Sequence, residues 1–159
     1  MLYILLDIDG TILPTHISDK SHPSTKISLD ISETNLPLSL YEDITNELVK
    51  ISHSNHVKII MCSSWGETSI QIAQYLGIKS DEYLVFFNDN PKQWYKWQSI
   101  VNFCETHPKD KIILCDDLAS YEVTRHKPHN LIKIFQPNPQ DGLTMKDLHK
   151  IWKFVNKQK

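Results

Sequence analysis

Glycine is scarce in this chain of 159 residues. There are 4, where average usage near 7% would supply about eleven. The four, Gly10, Gly66, Gly77 and Gly142, therefore mark places where a side chain would not fit. The scarcity also excludes a collagen-like or glycine-rich disordered chain. Cysteine is nearly as rare. Cys62, Cys104 and Cys115 are odd in number and far apart, and none forms a C-x-x-C pair, which argues against a zinc site or a disulfide framework. Two of them sit in apolar runs, where cysteine behaves as a small hydrophobe, and a reducing, cytoplasmic interior is the expected compartment. No apolar run approaches the roughly 18 residues of a membrane span. The N-terminus has no basic stretch ahead of its short apolar run, so no signal peptide is expected. Charge of one sign is lacking as well. With 17 basic and 19 acidic residues the formal net charge is -2, and composition makes no case for nucleic acid or an anionic membrane as a partner.

What is present is ordinary for a globular domain: 40% hydrophobic and 23% charged residues, in a length that suits one domain with its own core. Residues 3–6, 57–62 and 111–115 are continuous apolar runs without alternation, as in strands covered on both faces of a parallel sheet. Residues 83–87 and 131–135 are weaker examples. Between them Leu40, Ile44, Leu48 and Ile51 recur at helical spacing, as do Ile70, Ala73 and Leu76, with Gly77 as a stop. Asn90-Pro91 predicts a helix start, followed by Trp94, Trp97, Val101 and Cys104 on one face. Thr144 and Asp147 have the spacing of a capping box, ahead of Leu148, Ile151, Trp152 and Val155. Strands alternating with helices predict an α/β fold. Residues 14–38 break the alternation. They are rich in Ser and Thr, and residues 27–32 alternate, which predicts an exposed strand or hairpin serving as a flap.

The chemistry concentrates at strand ends. Asp7 and Asp9 leave the first apolar run two positions apart, a spacing that faces both carboxylates one way in extended chain. Such a pair repels unless a cation is near or one acid is protonated, and Gly10 lets the chain turn away from it. As a bare pair it also reads as a turn or helix cap. Asp116 and Asp117 end another apolar run. In a parallel sheet all strands finish along one edge, where ligands bind, so four carboxylates converge on one crevice. Hard divalent cations such as Mg²⁺ take oxygen ligands of this kind. A third run ends in Ser63-Ser64, which brings hydroxyls to the same edge, although serine after a strand is also ordinary turn chemistry.

These segments together resemble the haloacid dehalogenase (HAD) superfamily of phosphohydrolases. YILLDIDGT at residues 3–11 is similar to its first motif, IIMCSS at 59–64 to its second, and IILCDD at 112–117 to its fourth. The third motif is a lone lysine, Lys92 or Lys96. Within the superfamily the chain is similar to a small subgroup that includes domains attached to RNA-repair proteins. That closer likeness rests on Ser63-Ser64-Trp65-Gly66-Glu67, on Lys96-Trp97 about 20 residues before the second acid pair, and on Asp141-Gly142-Leu143-Thr144. Its spacing favours Lys96.

The resemblance implies a Rossmann-like, three-layer α/β sandwich with a mainly parallel sheet and a short flap after the first strand. It also implies a Mg²⁺-dependent phosphomonoester hydrolase. Asp7 is then the nucleophile, forming an aspartyl-phosphate, and Asp9 the acid and base for the leaving group and the water. Mg²⁺ is held by Asp7, the main-chain carbonyl of Asp9, and Asp116, with Asp117 supporting. Ser63 and Lys96 bind phosphoryl oxygens, with Ser64, Gly10 and Thr11 around them. Trp65 reads either as a pocket wall or base platform, or as a packed aromatic. His16, His22 and Lys26 on the flap read as substrate contacts or as the ordinary content of a polar loop.

About 50 residues separate Thr11 from Ser63, and a helix and a strand take up much of that length. The chain is therefore expected to be one domain over 1–159, with 14–38 as its flap and no globular cap. An open site admits a large phosphorylated substrate, such as a nucleic-acid end or a phosphoprotein, or is closed by a partner. A non-catalytic HAD-like domain that binds a phosphorylated ligand or a protein is the alternative. A phosphoaccepting receiver is disfavoured, because there the acid pair follows the first strand and the phosphorylated Asp the third.

Overall fold

The computed structural model describes residues 1–17, 24–31, 34–119 and 126–157. Its main sheet holds four parallel strands: β1 (Leu2–Leu6), β4 (Val57–Met61), β5 (Lys111–Cys115) and β6 (Leu131–Phe135), in the order β4-β1-β5-β6. Side-chain alternation explains why these runs are apolar throughout. Ile4 and Leu6, with Ile59, Met61, Ile113 and Cys115, fill one core cluster, whereas Leu5, Ile60, Ile112 and Leu114 fill the other. Both faces are covered, so neither set of positions can be polar.

Helices α1 (Glu42–Ser52), α2 (Thr68–Tyr75) and α4 (Met145–Asn156) cover the first face with Ile44, Leu48, Ile51, Ile72, Leu148, Ile151 and Val155. Helix α3 (Trp97–Thr106) covers the second with Trp97, Ile100 and Cys104. The result is the expected three-layer, Rossmann-like α/β arrangement. Thr144 caps α4 as its spacing predicts: its hydroxyl accepts from the Asp147 amide, and Asp147 Oδ2 accepts from the Thr144 amide at 3.1 Å. Among the described residues no helix is long and apolar enough to cross a membrane.

The segment expected to be a flap contains an antiparallel hairpin, β2 (Ser24–Ile31) paired with β3 (Thr34–Tyr41). His22 and the side chain of Lys26 lie outside the described residues. Leu40, expected on a helix face, belongs instead to β3, which passes into α1 without an intervening residue. Leu38, Leu40 and Tyr41 are nevertheless buried in the core.

Two elements differ from expectation. Residues 83–87 form no named strand. They lie beside β4 through one parallel bridge, Met61 to Tyr83, with the Leu84 amide donating to the Met61 carbonyl at 2.8 Å. Helix α3 begins at Trp97 rather than at Pro91, because Asn90 does not cap it. Asn90 Oδ1 accepts from the Lys92 amide and its carbonyl accepts from Gln93, which closes a turn at Pro91. Such local side-chain bonds compete with helix initiation.

Candidate active site

Strand register places the site. Leu6 pairs with both Met61 and Cys115, and Cys115 with Phe135, so the four strands end level. The next backbone bonds carry the pairing one residue on: Cys62 to the Leu6 carbonyl, Asp7 to that of Cys115, and Asp116 to that of Phe135, at 2.8–3.0 Å. Asp7, Ser63 and Asp116 therefore emerge together at one edge, on either side of β1, where the chain's crossovers diverge. This is where open α/β sheets bind ligands.

Lys96 joins them. It directly precedes α3, and its side chain is 2% exposed. Its ammonium lies 2.9 Å from Asp7 Oδ1, 2.6 Å from Asp116 Oδ2 and 2.8 Å from the Cys62 carbonyl, so three acceptors take its three hydrogens. The rings of Phe86, Trp94 and Tyr95 have their centroids 5.6–5.8 Å from Nζ, close enough for cation–π attraction. Burial works against the ammonium's charge, but Asp116, and Cys62 and Asp7 beside it, raise its affinity for the proton above the ordinary lysine value. Burial pushes the Asp116 carboxyl up. Lys96 and the Leu118 amide, which donates to Oδ1 at 2.9 Å, oppose that rise, whereas the Asp7 charge adds to it. Lys92, the alternative lysine, is exposed.

Asp7, Asp116 and Asp117 each offer a carboxylate oxygen, all within 4.8 Å of one another. Asp117 is likewise raised by burial and by the neighbouring Asp7. Three carboxyl groups share one lysine, and the donors are all oxygen. The set fits a hard divalent cation.

Asp9 stands apart. The shared-face argument needs extended chain through Asp9, but β1 ends at Leu6. The chain then turns, with the amides of Thr11, Ile12 and Leu13 all donating to the Ile8 carbonyl and Gly10 to Leu13. Asp7 is consequently buried and Asp9 exposed. Asp9 Oδ2 accepts a 2.6 Å hydrogen bond from Trp65 Nε1.

The turn needs Gly10, whose φ is +69° and where a Cβ would lie 2.5 Å from Asp117 Oδ2. Buried Thr11 holds the second acid pair in place, its hydroxyl accepting from the Asp117 amide at 3.1 Å. The amides of Gly10 and Thr11 are thus engaged in the turn. Ser63 is buried at the site and Ser64 is exposed.

A groove of about 500 Å³ opens beside Asp9 and Gly10, lined by Leu13, Pro14, His16, Leu38 and Ser39 among others. Sequence reasoning missed the Trp65–Asp9 bond and the aromatic surround of Lys96. Trp94 and Tyr95, adjacent to that lysine in the chain, were the available signal for the latter.

A level-ended parallel sheet with acids after β1 and β5 and a buried lysine between them fits a HAD-superfamily domain, and the family match shows one. More narrowly, the family model for the HAD domain in Swiss Army Knife RNA repair proteins matches residues 3–148, and the chain belongs to that family. A search of curated proteins found no match.

Proposed function

We propose that the protein is a Mg²⁺-dependent phosphomonoester hydrolase working through an aspartyl-phosphate. The observation that carries the reading is the buried cluster in which Lys96 bridges Asp7 and Asp116, with Asp117 beside them. Asp7, Asp116 and Asp117, with the main-chain carbonyl of Asp9, would hold the metal. When bound, Mg²⁺ supplies positive charge to the phosphoryl oxygens.

The chain's own residues do the rest. An Asp7 carboxylate oxygen attacks phosphorus, and the bond from phosphorus to the ester oxygen breaks as that oxygen takes a proton from Asp9. Water then attacks the phosphorus of the aspartyl-phosphate and gives a proton to Asp9. The bond to Asp7 breaks, releasing phosphate and restoring both acids. Lys96 and Ser63 place positive charge and a hydroxyl donor where charge spreads over the non-reacting oxygens.

The open groove beside Asp9 and the family's occurrence in RNA repair proteins both favour a macromolecular substrate, with a phosphorylated RNA end as the first class to try. A phosphatase screen over nucleotides, sugar phosphates, phosphopeptides and 5′- or 3′-phosphorylated RNA, with Mg²⁺, tests the reading, and Asp7→Asn serves as the blank. Hydrolysis by the native chain that the variant lacks supports it. Equal rates in both would remove Asp7 as nucleophile. Silence across the panel with Mg²⁺ still bound would favour a HAD-like domain that binds a phosphorylated ligand or a protein.

A further inference from the structure

Resting on the phosphohydrolase reading above, we propose that Trp65 is a positioning residue for Asp9, reserving one carboxylate oxygen for the leaving group. Asp9 is exposed on a turn, so the protein interior does not fix its side chain. Among the described residues, the bond from Trp65 Nε1 to Oδ2, at 2.6 Å, is what holds it.

The donor is itself well anchored. The Trp65 ring packs against the larger core cluster. Its carbonyl accepts from the Thr68 amide at 3.2 Å, and the Gly66 amide donates to the Ser63 carbonyl at 3.1 Å. The indole therefore ties Asp9 to the strand end that carries Ser63, two elements 56 residues apart in sequence.

The direction of this bond carries chemical information. An indole N–H donates and cannot accept. Oδ2 is thereby kept as an acceptor, and the proton that Asp9 transfers is carried on Oδ1. In the first step Oδ1 gives that proton to the ester oxygen as the electron pair of the phosphorus–oxygen bond passes to it. In the second step Oδ1 receives the proton of the attacking water. Trp65 itself gives and takes no proton in either step, and its effect passes through the orientation of Asp9.

A leaving-group series distinguishes this role from a structural one. A nitrophenolate departs without a proton, whereas a simple alkoxide requires one. Native protein and Trp65→Phe, which keeps an aromatic ring against the core, are compared with Mg²⁺ on nitrophenyl, phenyl and alkyl phosphates. For the alkyl ester the variant should lose about tenfold or more in kcat/KM, which reports the step in which the leaving group departs, a fraction of the 10²–10⁴ typical of general-acid catalysis. For the nitrophenyl ester it should stay within about twofold. In an Asp9→Asn background, Trp65→Phe should add no further leaving-group dependence.

A readout free of turnover is the Nε1–H NMR resonance of Trp65 in the native chain, which should shift on Asp9→Asn. An equal loss of kcat/KM across all esters, or an unmoved resonance, would overturn the proposal while leaving the hydrolase reading intact if Asp7→Asn is dead. A native chain inert on these esters and on the phosphorylated RNA of the screen above would overturn both.

Discussion

The Lys96 ammonium lies 2.6 Å from Asp116 Oδ2, with the lysine 2% exposed and the aspartate 0%. This contact joins the start of α3 to the end of β5, and through Asp7 to β1 as well. Lysine and aspartate are almost never fully buried unless paired, so each depends on the other.

Removing the cation alone strands two buried carboxylates. Lys96→Met should destabilise the fold by about 3–5 kcal/mol, the usual cost of breaking a buried pair from one side. Urea denaturation measures it. Loss of less than 1 kcal/mol would mean that the carboxylates are neutralised some other way.

Mg²⁺ should stabilise the native chain, because the carboxylate cluster exists only when folded. At a hundredfold excess over Kd the gain is about 2.7 kcal/mol, seen as a rise in Tm that EDTA reverses. Asp116→Asn should abolish most of that rise. An unchanged metal response in the variant would exclude Asp116 as a ligand.

Gly142 and Gly66 both have positive φ, +68° and +55°, but differ in their surroundings. A Cβ at 142 would lie 2.8 Å from the backbone carbonyl of Thr11, whereas a Cβ at 66 would meet nothing within 4 Å. Gly66→Ala should therefore cost only about 1–2 kcal/mol of backbone strain, and Gly142→Ala clearly more. Denaturation midpoints compare the two, and equal losses would contradict this ordering.

Acid should weaken the contact between α1 and α4. Glu47 in α1 accepts from Lys50 and, at 2.9 Å, from Trp152 Nε1 in α4, and these bonds hold its carboxyl below the ordinary value of 4.5. A lowered value means that the folded state favours the charged form. The stabilisation is present above the ordinary value and is lost as pH falls through the folded one. Glu47→Gln should flatten stability against pH in that acid range, as followed by Tm at several pH values.

Much of this was legible in the sequence because strand ends are written in one dimension. An apolar run followed by Asp7, by Ser63 or by Asp116 needs only the parallel-sheet rule to bring those residues together. Lys96 was harder. It directly precedes a helix, and the Asn90-Pro91 start signal placed that helix too early. The Asn90 turn, a local hydrogen-bond competition, decided the boundary. The turn between Asp7 and Asp9, which leaves one buried and the other exposed, was not legible, since it depends on where β1 stops pairing. The Trp65–Asp9 bond is a long-range contact between two turns, which no periodicity encodes.

The root of the hairpin has a further consequence. Because β3 delivers Leu38, Leu40 and Tyr41 to the core and runs straight into α1, the hairpin is a cantilever built into the wall, without a hinge at that end. A transplant of another hairpin onto this chain keeps the fold only if it reproduces those three anchoring side chains. The outer rungs can then be exchanged while the mounting stays untouched.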